Sequence, residues 1–304
     1  MNTVLLFNGL GNQMSQYAFY LAKKNINPDI ICMYFPSKYD DQHNGLELNK
    51  IFNIRIRKNF KYYVSYFIYS IYSNRDTNGF KGKISRKISK YLNINVIYEK
   101  SYAFDSKLLL EKTSGIMYFW GGWHNERYFD TIKDDISRIF SFKIHNSDNS
   151  ILKLQSEICS KSSVSIHIRR GDYLNNNIVN VFGGICDLDY YKRSIDYIKE
   201  NVENPYFYIF SDDKDWIKEN FLLQNSEIVN LNLGADSWKD MYLMSLCKHN
   251  INANSTFSWW GAWLNSNNNK IVVVPQKFNL HGEADIYPKS WIKIPVSLIM
   301  KESL

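Results

Sequence analysis

The 304-residue chain carries only four cysteines, Cys32, Cys159, Cys186 and Cys247. They lie far apart and form no CxxC pair, so neither a disulfide framework nor a zinc site is indicated, and a reducing, cytoplasmic setting is expected. No apolar run approaches the roughly 20 residues that a membrane span needs. The longest apolar-aromatic stretch, Tyr62 to Tyr72, is about half that length and includes Ser65 and Ser70. The N-terminus lacks the basic start of a signal peptide, and its apolar run from Val4 to Phe7 breaks at Asn8-Gly9. No internal repeat is visible, and low complexity is confined to short Asn clusters at 175–177 and 267–269 that read as loops.

What is abundant is aromatic and basic. A hydrophobic fraction of 45% with 22 Tyr, 18 Phe and 8 Trp excludes a disordered chain and suits either core packing or the apolar faces of sugars. A net charge of +7 favours an acidic partner: nucleic acid, an anionic membrane surface, or a small substrate bearing phosphate. Around Tyr62–Tyr72 lie Lys58, Lys61, Lys81, Lys83, Arg86, Lys87 and Lys90. This region reads as a solvated basic face over a buried aromatic side, or as a peripheral contact with an anionic inner membrane.

Apolar spacing gives the organisation. Val4–Phe7 reads as a buried strand, Asn8-Gly9-Leu10-Gly11 as a loop, Asn12–Lys24 as a helix and Asp29–Tyr34 as a strand, together a βαβ unit. Residues 40–100 are poorly patterned and are expected to hold decorating helices. Beyond Ser141–Ser150, a polar stretch taken as the domain boundary, strands at 164–168, 206–210, 227–230, 249–253 and 271–274 alternate with helices at 188–200, 214–221, 237–247 and 257–265. Such alternation is the mark of an open, doubly wound α/β domain.

Three segments carry chemistry. Gly9-Leu10-Gly11-Asn12-Gln13 puts glycines between a strand and a helix N-terminus, where unpaired N–H groups favour anions. Met14 stands where a dinucleotide fingerprint needs a third glycine, and no Lys-Ser/Thr pair makes a P-loop. Ser165-Ile166-His167-Ile168-Arg169-Arg170-Gly171-Asp172 is a strand whose alternation delivers His167 and Arg169 together at its C-terminal end, the edge at which open α/β sheets bind ligands. Adjacent guanidiniums repel unless anions meet them, and they pair bidentately with phosphate. Asp172 could hold one of them. Finally, Asn254-Ser255-Thr256-Phe257 caps a helix whose Trp259, Trp260 and Trp263 read as core. Phe210-Ser211-Asp212-Asp213, also at a strand end, reads as a cap before Trp216.

GLGNQMSQYA at 9–18, GGWHNERYF at 121–129, HIRRGDY at 167–173, FSDD at 210–213 and NSTFSWWGAWL at 254–264 resemble, in order, the signatures of α-1,2-fucosyltransferases of glycosyltransferase family 11. The resemblance implies a GT-B fold of two Rossmann-like halves with a cleft between them: residues 1–145 on the acceptor side with helical insertions, and 146–304 binding the donor. It implies inverting transfer of L-fucose from GDP-β-L-fucose to the 2-hydroxyl of a galactose-terminated glycan, with no metal, cofactor or nucleic acid. Position by position, Arg169 matches the arginine that engages the diphosphate, with His167, Arg170 and Asp172 completing its motif. Gly11, Asn12 and Gln13 match the loop facing the reacting centre, Asp240 matches an acid reading the guanine edge, and Asn254, Ser255, Thr256 and Phe257 would line phosphate and base. Catalytic roles fall to Arg169, Asp172 and Asn12. Ser15 departs from the Phe expected there, and residues 36–115 carry no usable resemblance.

Two rival readings have their own signals. A metal-dependent GT-A transferase could use Asp187-Leu188-Asp189 or Asp213-Lys214-Asp215, although Asp at a helix start is commonly a cap. A non-catalytic glycan- or nucleic-acid-binding module would use the tryptophans and the basic charge, and leaves the paired arginines unexplained.

Overall fold

The computed structural model describes residues 1–36, 44–111, 115–144, 148–171, 173, 179–232, 234–281 and 285–296. The chain divides into two compact units, Met1–Phe142 and Lys143–Leu304. Both are α/β and built on parallel sheets, the components of a GT-B type architecture.

The first unit runs β1 (Asn2–Leu6), α1 (Leu10–Ile26), β2 (Ile31–Tyr34), α2 (Leu48–Phe52), α3 (Phe60–Ser73), α4 (Phe80–Tyr91), β3 (Ile94–Tyr98), α5 (Ser106–Leu110), β4 (Ile116–Trp120) and α6 (Lys133–Ile139). Its sheet has the order β2-β1-β4-β3, every pair parallel. From β1 the chain first winds one way to β2 and later fills the other side, so the winding reverses between β1 and β4. One face packs Leu5, Phe7, Ile31, Met33, Ile94 and Tyr118 against Tyr62 and Tyr69 of α3. On α1, Phe19 meets Phe119 and stacks on Trp123 at 4.4 Å. Buried Lys23 donates to the carbonyls of Leu108, Leu109 and Glu111, a cation at the C-terminus of α5 where exposed carbonyls collect negative partial charge.

The region expected to hold only helices also contains β3. Asn93, at φ 49°, turns the chain straight out of α4 into this strand, whose residues after Ile94 are half-buried or exposed and so lack a clean alternation. β4 was hidden similarly, because its first two residues are only partly buried.

The second unit runs α7 (Asn149–Ser160), β5 (Ser162–Ile168), α8 (Val179–Phe182), α9 (Leu188–Asn201), β6 (Pro205–Ser211), α10 (Lys214–Asn220), β7 (Ser226–Ile228), α11 (Trp238–Leu246), β8 (His249–Ile251), α12 (Thr256–Leu264), β9 (Val272–Pro275) and β10 (Ile292–Ile294). The parallel sheet has the order β10-β9-β8-β5-β6-β7. Val164, Ile166 and Ile168 point to the face covered by Tyr190, Tyr191, Ile195 and Ile198 of α9. Tyr208 and Phe210 point to the opposite face, against Ile151, Leu154 and Ile158 of α7 and Leu243 and Met244 of α11. Winding starts at β5, goes out through β6 and β7, then returns to β8 on the other side. The winding reverses between β5 and β8, and the C-terminal ends of strands at such a reversal are the place where doubly wound sheets take ligands.

Candidate functional site

Register explains how the second unit gathers its charged residues. β5 pairs with β6 up to Ile168↔Ser211 and with β8 up to Ile166↔Ile251, so Arg169-Arg170, Asp212-Asp213 and Asn252 to Ser255 all leave the sheet at one edge. Arg169 Nη1 lies 3.2 Å from Asp212 Oδ2, with both side chains about three-quarters shielded. The other oxygen of Asp212 accepts the backbone N–H of Arg170 at 2.9 Å. Arg170 Nε donates to Asp213 Oδ2 at 3.2 Å, and its guanidinium lies over the Trp216 ring at 3.9 Å. Asp213 also caps α10 through Trp216 N. The two acids therefore do more than start a helix. Asp212 and Asp213 orient the guanidiniums, and Asp172, the expected candidate for holding one of them, lies outside the described residues. Their signal was a pair of acids after one strand beside a pair of arginines after its neighbour.

His167 is buried, its carbonyl accepts the Tyr191 hydroxyl at 3.0 Å, and its ring lies 5.8 Å from that of Phe257. This puts His167 beside the start of α12. There Ser255 is the N-cap, accepting the N–H of Phe257, and Thr256 opens the first turn, whose N–H groups have no partner inside the helix. Trp259 and Trp260 are core, as expected, and Trp263 is half-buried against Trp259. Asn254 is committed to holding the loops: Nδ2 donates to the carbonyls of Phe182 and Phe278, Oδ1 accepts from Cys186, and its own carbonyl accepts the Tyr173 hydroxyl. Asn252 was missed altogether. Its amide is 1% exposed, and neither of its polar atoms has a hydrogen-bond partner among the described residues. Asp240 on α11 accepts from Asn232 at 2.5 Å, and burial raises its carboxyl to about 6.

In the first unit, Gly11, Asn12 and Gln13 form the first turn of α1. Gln13 is fully buried; Nε2 donates to the carbonyls of Asn8 and Gly45 while Oε1 accepts the N–H of Glu47. Gln13 thus ties the glycine loop down, and half-buried Asn12 sits beside it. Ser15, the departure from the expected Phe, lies 3.0 Å through Oγ from His124 Nδ1. The imidazole takes the space a larger side chain would need, and burial lowers its pKa to about 3. Gly121 and Gly122 make room for this arrangement. A Cβ at Gly121 would lie 2.6 Å from Glu99, and one at Gly122 only 2.2 Å from His124 Nε2. Glu99 accepts the N–H groups of Gly122 and Trp123 through Oε2, and burial raises its carboxyl to about 7. The 121–129 segment was recognisable in the sequence, but its partner Glu99 follows an unrecognised strand.

Both acidic triplets of the metal-dependent reading are occupied locally. Asp187 caps α9 and Asp189 pairs with Arg193 at 2.9 Å. Asp213 serves α10 and Arg170, and Asp215 pairs with Lys218. Among the described residues, no cluster of three or more His, Cys, Asp or Glu could hold a metal ion.

Known proteins give these residues a context. Alpha-1,2-colitosyltransferase of Escherichia coli is 34% identical over 299 residues, covering 95% of this chain and 97% of its own. The O-antigen biosynthesis glycosyltransferase WbnK, also of Escherichia coli, is 32% identical over 95% of this chain and 99% of its own. Human galactoside alpha-(1,2)-fucosyltransferase 1 is 31% identical over 106 residues, 34% of this chain and 29% of its own. The model of glycosyl transferase family 11 matches residues 4–295, and with relatives this similar over nearly the full length the chain belongs to that family.

Proposed function

We propose that this glycosyltransferase moves L-fucose from GDP-β-L-fucose to the 2-hydroxyl of a galactose-terminated glycan, with inversion at the anomeric carbon and without a metal ion. The observation that carries the proposal is the pair of guanidiniums held by Asp212 and Asp213 at the winding reversal, next to the α12 N-terminus. Transfer breaks the bond between the sugar's C1 and the β-phosphate oxygen, so the diphosphate gains negative charge as the sugar becomes oxocarbenium-like. Charge fixed in advance where that charge develops lowers the barrier, because it binds the transition state more tightly than the resting donor. Arg169 fills this role, with the first-turn N–H groups of α12 beside it, and Arg170 and His167 complete the anion's surroundings.

Asp240 suits the guanine edge, since a carboxylate pairs with the ring N–H and amino donors and a group titrating near 6 is mostly ionised at neutral pH. Ser255, Thr256 and Phe257 line the phosphate and base on a loop whose shape Asn254 holds, and Asn252 adds a buried amide to the same edge. The first unit serves the acceptor; Asn12 is assigned a catalytic role, and Gly11 and Gln13 beside it are assigned to the donor. Asp172 is the candidate for taking the proton of the acceptor hydroxyl, and a phosphate oxygen of the departing diphosphate is the alternative acceptor.

The relative named a colitosyltransferase raises a second donor, because colitose is fucose without its 3-hydroxyl. The test is incubation with GDP-fucose, GDP-colitose and UDP-galactose plus lactose in EDTA, reading free nucleotide and, by NMR, the linkage formed. GDP release with an α-1,2 fucoside is expected. Turnover confined to GDP-colitose would move the assignment to that sugar, and activity restored only by manganese would refute metal independence.

A further inference from the structure

The positive charge of this protein is concentrated in one place. Between Arg55 and Tyr98 the sequence holds ten Lys and Arg and a single acid, Asp76, a net +9 against +7 for the whole chain, so the remainder carries −2. The same segment collects exposed apolar side chains. Seven of the thirteen large hydrophobics exposed among the described residues lie on α3 and α4: Phe60, Tyr63, Tyr66, Phe67, Phe80, Ile84 and Tyr91.

How the two helices pack explains the exposure. α3 turns Tyr62, Ser65 and Tyr69 inward, spaced three and four residues apart, and Ser65 bonds Thr3 while Tyr69 meets Tyr118. α4 lies beside α3, and all it buries is a stripe of small residues, Gly82, Ser85 and Ser89. A Cβ at Gly82 would collide with the carbonyl of Thr77, in the turn that leads into α4. On α4, Phe80, Ile84 and Tyr91 recur at helical spacing on the side opposite that stripe. Lys81 flanks them on one side and Lys83, Lys87 and Lys90 on the other. Phe60, Tyr63 and Phe67 form the corresponding outer stripe of α3. Both helices therefore carry apolar side chains on the side away from the core, and on α4 that stripe is edged with lysine.

We propose that the outer face of α3 and α4 docks on an anionic phospholipid surface, with the aromatic stripe entering the headgroup boundary and the lysines lying among lipid phosphates. Neither helix is long and apolar enough to cross a bilayer, so the mode is peripheral. Charge complementarity selects the partner's sign, and the aromatic stripe distinguishes a bilayer from a merely polyanionic partner, because only the bilayer offers an apolar layer beneath its phosphates. Arg75 and Arg86 are otherwise engaged: Arg75 stacks on Tyr72 and bonds Tyr98, and Arg86 donates to the carbonyl of Arg75. The lysines of α4 are left as the contact charges.

The test is co-sedimentation of the full chain with vesicles of phosphatidylcholine alone or mixed with phosphatidylglycerol. Binding is expected only to the mixed vesicles and should weaken as salt rises. Lys83→Gln/Lys87→Gln/Lys90→Gln should lower the partition coefficient about fivefold per lysine. Phe60→Ser/Phe67→Ser/Phe80→Ser, which keeps every charge, should lower it at least about tenfold. Both variants should match the wild type in melting temperature and in activity on a soluble acceptor. Failure to bind the mixed vesicles would overturn the proposal. So would unchanged binding by the Phe variant, capture by single-stranded DNA with the same dependence on both sets, or a concentration-dependent dimer lost in the Phe variant while vesicle binding persists. None of these outcomes depends on the donor, so the test stands apart from the assignment of fucosyl transfer.

Discussion

The two sheets solve the same topological problem with opposite chemistry. Each reverses its winding once and opens the C-terminal ends of two adjacent strands, β1 and β4 in the first unit, β5 and β8 in the second. In the first, the edge holds Gln13 between three backbone partners, Gln16 bridging Phe7 and Gly121, a His124 that burial keeps uncharged, and one buried carboxyl, Glu99. In the second, Arg169, Arg170, Asp212 and Asp213 stay roughly a quarter to a third exposed, each arginine paired and none sealed in. A guanidinium stays charged at any relevant pH, so one that is paired and partly open can meet an anion. The contrast separates an edge built to hold a backbone shape from one built to meet an anion.

The sharpest way to break this comparison is to alter the charged edge. Arg169→Ala should lower the rate of transfer on the order of 10² to 10³ or more, the usual loss when a preorganised charge is removed. Arg169→Lys should do nearly as badly, since a lysine cannot present the planar fork that Asp212 orients. Melting should shift little, because the side chain lies outside the core. Either variant retaining more than about a tenth of wild-type turnover would remove the arginine from the mechanism. Next in size is Asp212→Asn, which weakens the hold on the Arg169 side chain while leaving one oxygen for the Arg170 N–H. A misplaced guanidinium should cost about 10- to 100-fold in kcat with a smaller change in KM. An equal fall in donor affinity alone would mean that Asp212 serves ground-state binding.

The charged edge was also the more legible one. His167 and Arg169 could be placed on one face because β5 alternates and its apolar half is uniform, and Ser255 could be placed because a cap before an apolar run is a local signal. Asp212 and Asp213 were visible as a cap, but their hold on the arginines depends on the β5–β6 register across about forty residues, which spacing alone does not give. Asn252 reads in the sequence as one more strand residue, whereas its amide is buried without a partner among the described residues. The first edge was legible only as a motif. β3 and β4 lack full burial alternation, so nothing local tied Glu99 to Gly121-Gly122, or Ser15 to His124 over 109 positions.

Gly122→Ala tests the neutral edge by packing. The added methyl would meet the buried His124 ring, which cannot retreat without giving up Ser15, so a loss of about 1–3 kcal/mol and a lower melting temperature are expected. Adding His124→Ala should recover part of the loss. If Gly122→Ala melts like the wild type, the glycine is not there to admit the imidazole.

The smallest expected effect is in pH, and here the two edges should differ in slope. Glu99 has a raised pKa, about 7 in the folded protein against an unfolded value near 4.5, because burial disfavours its charged form. Its contribution is complete below pH 4.5 and is lost as pH rises through about 7, amounting to about 1–2 kcal/mol once partial solvent access is allowed for. Asp240 in the second unit behaves alike but finishes earlier, near 6. His124 works in the opposite direction: its pKa is lowered, so the unfolded chain takes up a proton first and stability falls as pH drops below about 6.5. Glu99→Gln keeps a carbonyl oxygen for the N–H groups of Gly122 and Trp123 and removes the titration. Urea midpoints of wild type and variant should therefore converge near pH 5 and separate toward pH 8, with the variant more stable at the alkaline end. Parallel curves across that range would show that burial of Glu99 is not what makes the first edge sensitive to pH, and would leave Asp240 as the titrating carboxyl.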